Sequence, residues 1–312
     1  MNLQLNEQKL SQLACIRALN SLPARRILEV MVMCIDDDNR DDVSDRRSFL
    51  IGATATVASL AVLHGSDVNA QDRQPETRVL DNPAVQHGRV VFKHNGVDTI
   101  DGYLARPKAD GGYPAVLVIA GNRITEEYIP NTCAALALAG FVGLAPNIFH
   151  TLPDSARTPE ESRKATASHI DSDVLEDIDV AADYLRAQSF VKGDGIAVLG
   201  FCYGGRMAMQ YGARSREVDA VVAFHPGVTR AEDIKRLKAP VQIHHGTTDQ
   251  AVSVNESKQL VRVLKAQHTP VEFFVYESAN HGFLAYTRPS YKPDAAKLAW
   301  ARATQFLRKH LE

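Results

Sequence analysis

A cysteine stands between two glycines at Gly200-Phe201-Cys202-Tyr203-Gly204, after the apolar run Ile196-Ala197-Val198-Leu199 and before the stretch Met207-Ala208-Met209. That pattern reads as a sharp strand-to-helix turn that lifts a nucleophile above a sheet. Glycines are needed on both sides because side chains there would collide with the neighbouring strand and helix. The helix start aims its amides at the sulfur, which favours thiolate. A nucleophile of this kind needs a base, and the base needs an orienting carboxylate. Two later segments supply them in chain order: His244-His245-Gly246-Thr247-Thr248-Asp249, then Ser278-Ala279-Asn280-His281-Gly282. Taken singly, Cys202 reads as a small core residue, Asp249 as a turn or helix cap, and His281 as a loop histidine. Together, each at the end of an apolar run, they read as a triad for acyl transfer through a thioester. His244 and His245 compete as metal ligands with His281, but adjacent strand residues point to opposite faces, so no metal site is expected; one reads as core-facing and the other as a strand-edge histidine.

These residues must be carried by strands that alternate with helices. Short β-branched runs bounded by Gly, Pro or Asp predict strands over 90–92, 101–105, 115–119, 142–145, 196–199, 220–224, 241–244 and 273–276. Helical patterns fall near 131–139, 173–188, 204–212, 254–267 and 293–310. Crossover helices between most strands imply a mostly parallel sheet of about eight strands covered on both faces. The first two strands, with no helix between them, imply an antiparallel hairpin at one edge. The order nucleophile, acid, histidine is that of the α/β-hydrolase fold.

Beyond the elbow, the His-Gly-x-x-Asp segment and Asn280-His281-Gly282-Phe283, followed by Thr287-Arg288-Pro289 and Ala295-Ala296-Lys297-Leu298-Ala299-Trp300, resemble the dienelactone hydrolase family over residues 80 to 312. The resemblance implies a Cys-His-Asp hydrolase that opens enol-lactones such as carboxymethylenebutenolide without cofactor or metal. It implies Cys202 as nucleophile, His281 as general base and acid, Asp249 as orienting carboxylate, and the backbone amides of Tyr203 and Asn122 as oxyanion hole. Members with an export leader typically resemble His-Glu-Asn-Arg-Gly after the third strand, the Glu contacting the thiol; here the segment is Ala120-Gly121-Asn122-Arg123-Ile124. That carboxylate is missing, and Glu126 and Glu127 read as solvated residues at a helix start. Cys202 is then expected to be ionised by His281 directly. Arg123 and Arg288 are candidates to clamp a substrate carboxylate bidentately, although each alone reads as a surface arginine.

The leader is a separate feature. Arg46-Arg47 precede an uncharged run over 49–63, and Val68-Asn69-Ala70 closes it with small residues, which looks like a twin-arginine export signal cleaved near Ala70. Fifteen residues of helix reach only about 22 Å, so no stable membrane anchor is expected. Domains are therefore a leader over 1–70 and a hydrolase domain over 71–312, exported and periplasmic, with the export machinery and a small ester or lactone as partners. The 312 residues are 45% hydrophobic and 23% charged, with net charge −2, which excludes disorder and gives no cationic excess for nucleic acid. Four cysteines at 15, 34, 133 and 202 form no CxxC pair, so neither a disulfide framework nor a zinc module is expected. Beside the small-ester or lactone hydrolase, two other readings remain: a peptidase or deacylase, and a catalytically silent binding protein.

Overall fold

Alternating apolar runs and polar turns build an eight-stranded sheet in the computed structural model, which describes residues 78–94, 98–121, 127–151, 164 and 171–312. Its strands are β1 (Val85–His94), β2 (Asp98–Pro107), β3 (Tyr113–Ile119), β4 (Val142–Pro146), β5 (Val191–Phe201), β6 (Val218–Phe224), β7 (Val241–Gly246) and β8 (Val271–Tyr276). The spatial order is β1-β2-β4-β3-β5-β6-β7-β8. β1 pairs antiparallel with β2, from Val85 opposite Pro107 to His94 opposite Asp98, and β2 pairs antiparallel with β4. Every other pairing is parallel. The edge hairpin and the parallel core match the arrangement expected from the sequence.

Among the described residues, six helices fill the crossovers and the C-terminus: α1 (Tyr128–Leu138), α2 (Asp171–Arg186), α3 (Tyr203–Arg214), α4 (Ala231–Ile234), α5 (Val254–Ala266) and α6 (Pro293–Leu311). Strand alternation sorts the core into two layers. Val116, Val118, Leu199 and Val222 pack on one face with Leu136 of α1 and Trp300 and Phe306 of α6. Leu117, Ile119, Val198 and Ile243 pack on the other with Ile178 of α2, Met207 of α3 and Leu264 of α5. Strands buried on both faces must be apolar throughout, which is why β3 to β7 read as continuous runs. The described residues fall within one compact unit spanning Asp67–Glu312, and no helix among them is long and apolar enough to cross a membrane.

The leader 1–70, with Arg46, Arg47 and the cleavage position Ala70, lies outside the described residues, as do Asn122, Arg123 and Glu126. One expectation is corrected here. Neither His244 nor His245 is a strand-edge residue: both are fully buried, because β7 is flanked by β6 and β8 and covered on its two faces.

Candidate active site

β5 ends at Phe201 and α3 begins at Tyr203, leaving Cys202 alone on the turn with φ 54° and ψ −115°. A non-glycine residue in that region is strained by roughly 1–3 kcal/mol and persists only where its surroundings impose it. Three backbone hydrogen bonds do so. The Cys202 amide donates to the Phe224 carbonyl at 3.0 Å, and the Cys202 carbonyl accepts from the amides of Arg206 at 3.1 Å and Gly227 at 2.9 Å. The flanking glycines are there for contact distance. A Cβ on Gly200 would lie 2.1 Å from the Gly204 carbonyl oxygen, and one on Gly204 would lie 2.2 Å from that of Ile119.

The acid and the base come from the loops that follow β7 and β8, which are laced together. The Thr248 amide and hydroxyl both donate to the Ala279 carbonyl, at 3.0 and 2.9 Å, while the Asn280 Oδ1 accepts from the amides of His281 at 2.7 Å and Gln250 at 3.3 Å. Asp249, its side chain fully buried, accepts at Oδ1 from the amides of Ala251 and Val252, both at 2.9 Å. At Oδ2 it accepts from His281 Nδ1 at 2.8 Å. A second imidazole, His245, stands 3.3 Å from the same oxygen through Nε2. Since His245 Nε2 also approaches the Val252 carbonyl at 2.9 Å, that nitrogen bears the proton, and the Ser257 hydroxyl donates to Nδ1 at 2.7 Å.

Charge follows from these contacts. Burial opposes ionisation of Asp249, but hydrogen bonds from His245, His281 and the Val252 amide outweigh it and hold the carboxyl well below the usual carboxylate range. Burial likewise opposes protonation of His281, but its hydrogen bonds to Asp249 and to the Cys202 sulfur, with the charges on both, push it up to about 9. His244, by contrast, is pushed down to about 3 by burial and then by Arg302, and is tied to the Tyr276 hydroxyl and to Gln242 at 2.8 Å each. It belongs to the core.

Cys202, His281, Gly121, His225 and Arg288 line one pocket, whose apolar wall includes Ile129, Phe201 and Leu284. Arg288 therefore reaches the site expected of it. The Tyr203 amide opens α3, among the first-turn amides that a helix leaves without an internal carbonyl partner. Gly121 borders the nucleophile closely: a Cβ there would lie 3.5 Å from the Cys202 Cβ and 3.2 Å from the Phe201 carbonyl oxygen. A side chain at 121 would thus project over the thiol. Glu127 does not take that place; it is exposed at the start of α1, accepts from the Tyr286 hydroxyl at 3.0 Å and stands 3.7 Å from Arg78. Cys133, the other described cysteine, is fully buried on α1, and burial pushes its thiol far up.

The sequence reading missed the role of one residue and overlooked another. His245 is a second hydrogen-bond donor to Asp249 rather than a bystander, and His225 lies at the end of β6 with its ring 4.2 Å, centroid to centroid, from that of His281. Both sit where the triad residues sit, at the carboxyl end of a parallel strand, and that position was the available signal.

Residues 100–311 match the Dienelactone hydrolase family. A Bradyrhizobium protein named probable 2-oxo-3-(5-oxofuran-2-ylidene)propanoate lactonase is 30% identical over 222 residues, covering 67% of this chain and 89% of its own. A putative carboxymethylenebutenolidase of Escherichia coli K12 is 29% identical over 229 residues, covering 68% and 83%. Among solved structures, a putative dienelactone hydrolase from Klebsiella pneumoniae superposes with a TM-score of 0.68 at 27% identity, over 72% of this chain and 99% of the other. With the eight-stranded order and the elbow already placed, the chain belongs to the dienelactone hydrolase family.

Proposed function

We propose that the chain hydrolyses small esters or enol-lactones through an acyl-thioester on Cys202, with His281 carrying the proton and Asp249 orienting it. The observation that carries this reading is the 2.8 Å bond from His281 to a fully buried Asp249, beside a cysteine held on a strained turn. In the first half-reaction the sulfur attacks the acyl carbon, the C–O bond breaks, and His281 gives its proton to the departing oxygen. The amides of Tyr203 and Asn122 would hold the oxyanion. In the second half-reaction water attacks the thioester, gives a proton to His281, and the C–S bond breaks to return the thiolate.

The electrostatics suit both halves. The sulfur's hydrogen bond and charge are among the causes that raise His281, so it enters the first half-reaction protonated, and loss of that charge on forming the C–S bond makes it a stronger acid toward the departing oxygen. Having given up its proton, the imidazole is left neutral and free to accept one from water in the second half-reaction. The lactone substrate class is supported by what the relatives are named for. Arg288, with Arg123, would take a carboxylate on such a substrate. With glycine at 121, the imidazole is the group that ionises the sulfur. We also assign residues 1–70 to twin-arginine export with cleavage near Ala70, supported by the Arg pair and apolar run. The test of the hydrolase reading is p-nitrophenyl acetate turnover: Cys202→Ala loses it while keeping its circular dichroism spectrum. Turnover at the wild-type rate in that variant would contradict the reading.

A further inference from the structure

The imidazole of His225 is only 3% exposed, it lines the same pocket as Cys202 and His281, and neither of its ring nitrogens meets a hydrogen-bond partner among the described residues. Leaving buried polar atoms unpaired is costly, so an aromatic ring serving only as packing would be better as phenylalanine here. Its backbone is also unusual. At φ 36° His225 is one of four described non-glycine residues in the left-handed region, and its amide donates to the His244 carbonyl at 2.7 Å. The preceding residue, Phe224, supplies the carbonyl that accepts from the Cys202 amide. The ring is thus held by the same backbone that holds the elbow. Strain of this kind concentrates where position matters to function.

Resting on the thioester reading above, we propose that His225 holds the hydrolytic water against His281 for the deacylation step. A neutral imidazole offers one acceptor nitrogen and one N–H, and a water molecule can satisfy the acceptor. His225 is neutral in its surroundings, because burial and then the neighbouring His281 charge both disfavour a second imidazolium, although Asp249 pulls the other way. With the rings 4.2 Å apart, one water in the pocket can reach both. Its oxygen bonds to the acyl carbon, one of its protons passes to His281, and its other O–H donates to the acceptor nitrogen of His225 without transfer. The C–S bond then breaks and the electron pair returns to sulfur. Water is favoured over a substrate group because the unpaired nitrogens burden the free enzyme as well as the complex.

Rapid-mixing kinetics with p-nitrophenyl acetate separate the two half-reactions. His225→Phe keeps the acylation rate within about twofold of wild type, lowers steady-state turnover by about tenfold or more, and accumulates acetyl-Cys202 visible by mass spectrometry. His225→Gln, which restores a donor and an acceptor, recovers much of the turnover. His225→Leu serves for the same comparison should the phenylalanine variant not fold. Equal loss of acylation and turnover, a rise in KM alone, or wild-type behaviour with no acetyl-Cys202 accumulating would overturn the proposal. Failure of the underlying reading has a different signature, namely turnover that survives in Cys202→Ala.

Discussion

Cys202, Asp249 and His281 could be picked out of the sequence because each follows an apolar run that reads as a strand, and because glycines at 200 and 204 are what a tight strand-to-helix turn around the cysteine requires. His225 and His245 end equally apolar runs, yet their partners come from other strands and loops. His245 gains its role only when the Asp249 loop folds back beneath it, and His225 only when the His281 loop arrives beside it. The charge state of His281 likewise depends on that assembly and has a measurable consequence. Its folded value of about 9 lies above the ordinary 6.5. The stabilisation is therefore fully present below about pH 6.5 and is lost as pH rises through about 9. Part of the rise comes from Cys202. Thermal melts between pH 6 and 10 should show wild type losing more stability over that interval than His281→Ala, which has no imidazole to deprotonate. Equal losses in the two proteins would count against the ion pair.

At the level of elements, the strands were readable where they are buried on both faces and truncated where they are not. β1 begins at Val85, ahead of its apolar run, because an edge strand needs only one satisfied neighbour and can keep polar residues such as Gln86 and Arg89 exposed. The first half of β5, starting at Val191, carries Lys192, Gly193 and Asp194 and so hides from a hydrophobic pattern. The single turn of α4 is too short to show a helical period. The junction of β5 with α3 is the element on which the site depends, and packing there leaves no slack. Gly204→Ala would drive a methyl to 2.2 Å from the Ile119 carbonyl oxygen, backbone against backbone. A loss of about 3 kcal/mol or more is expected, together with loss of activity, because the strand and helix must part to accept it. Denaturant titration of that variant checks this; a midpoint unchanged from wild type would mean that the elbow is looser than its contacts indicate.

On the scale of the whole molecule, two apolar layers clamp a sheet whose carboxyl ends present Cys202, His225, Asp249 and His281 to one side. We propose that the leader, which lies outside the described residues, decides where the folded protein works. Replacing Arg46 and Arg47 together by lysine keeps the charge and removes the guanidinium pair, so the double variant should stay unprocessed in the cytoplasm. Processing near Ala70 outside the cytoplasm at the wild-type level would refute twin-arginine routing. The family, the fold and the pocket meet in one claim, that a covalent acyl group passes through the sulfur of Cys202. Its most direct measurement is acid quenching of wild type during p-nitrophenyl acetate turnover, followed by peptide mass spectrometry. An acetyl group on the peptide carrying Cys202, discharged by neutral hydroxylamine as a thioester is and missing from Cys202→Ala, is the predicted result. Turnover with no acyl group on that peptide at any quench time, or with the acyl group on another residue, would contradict the account.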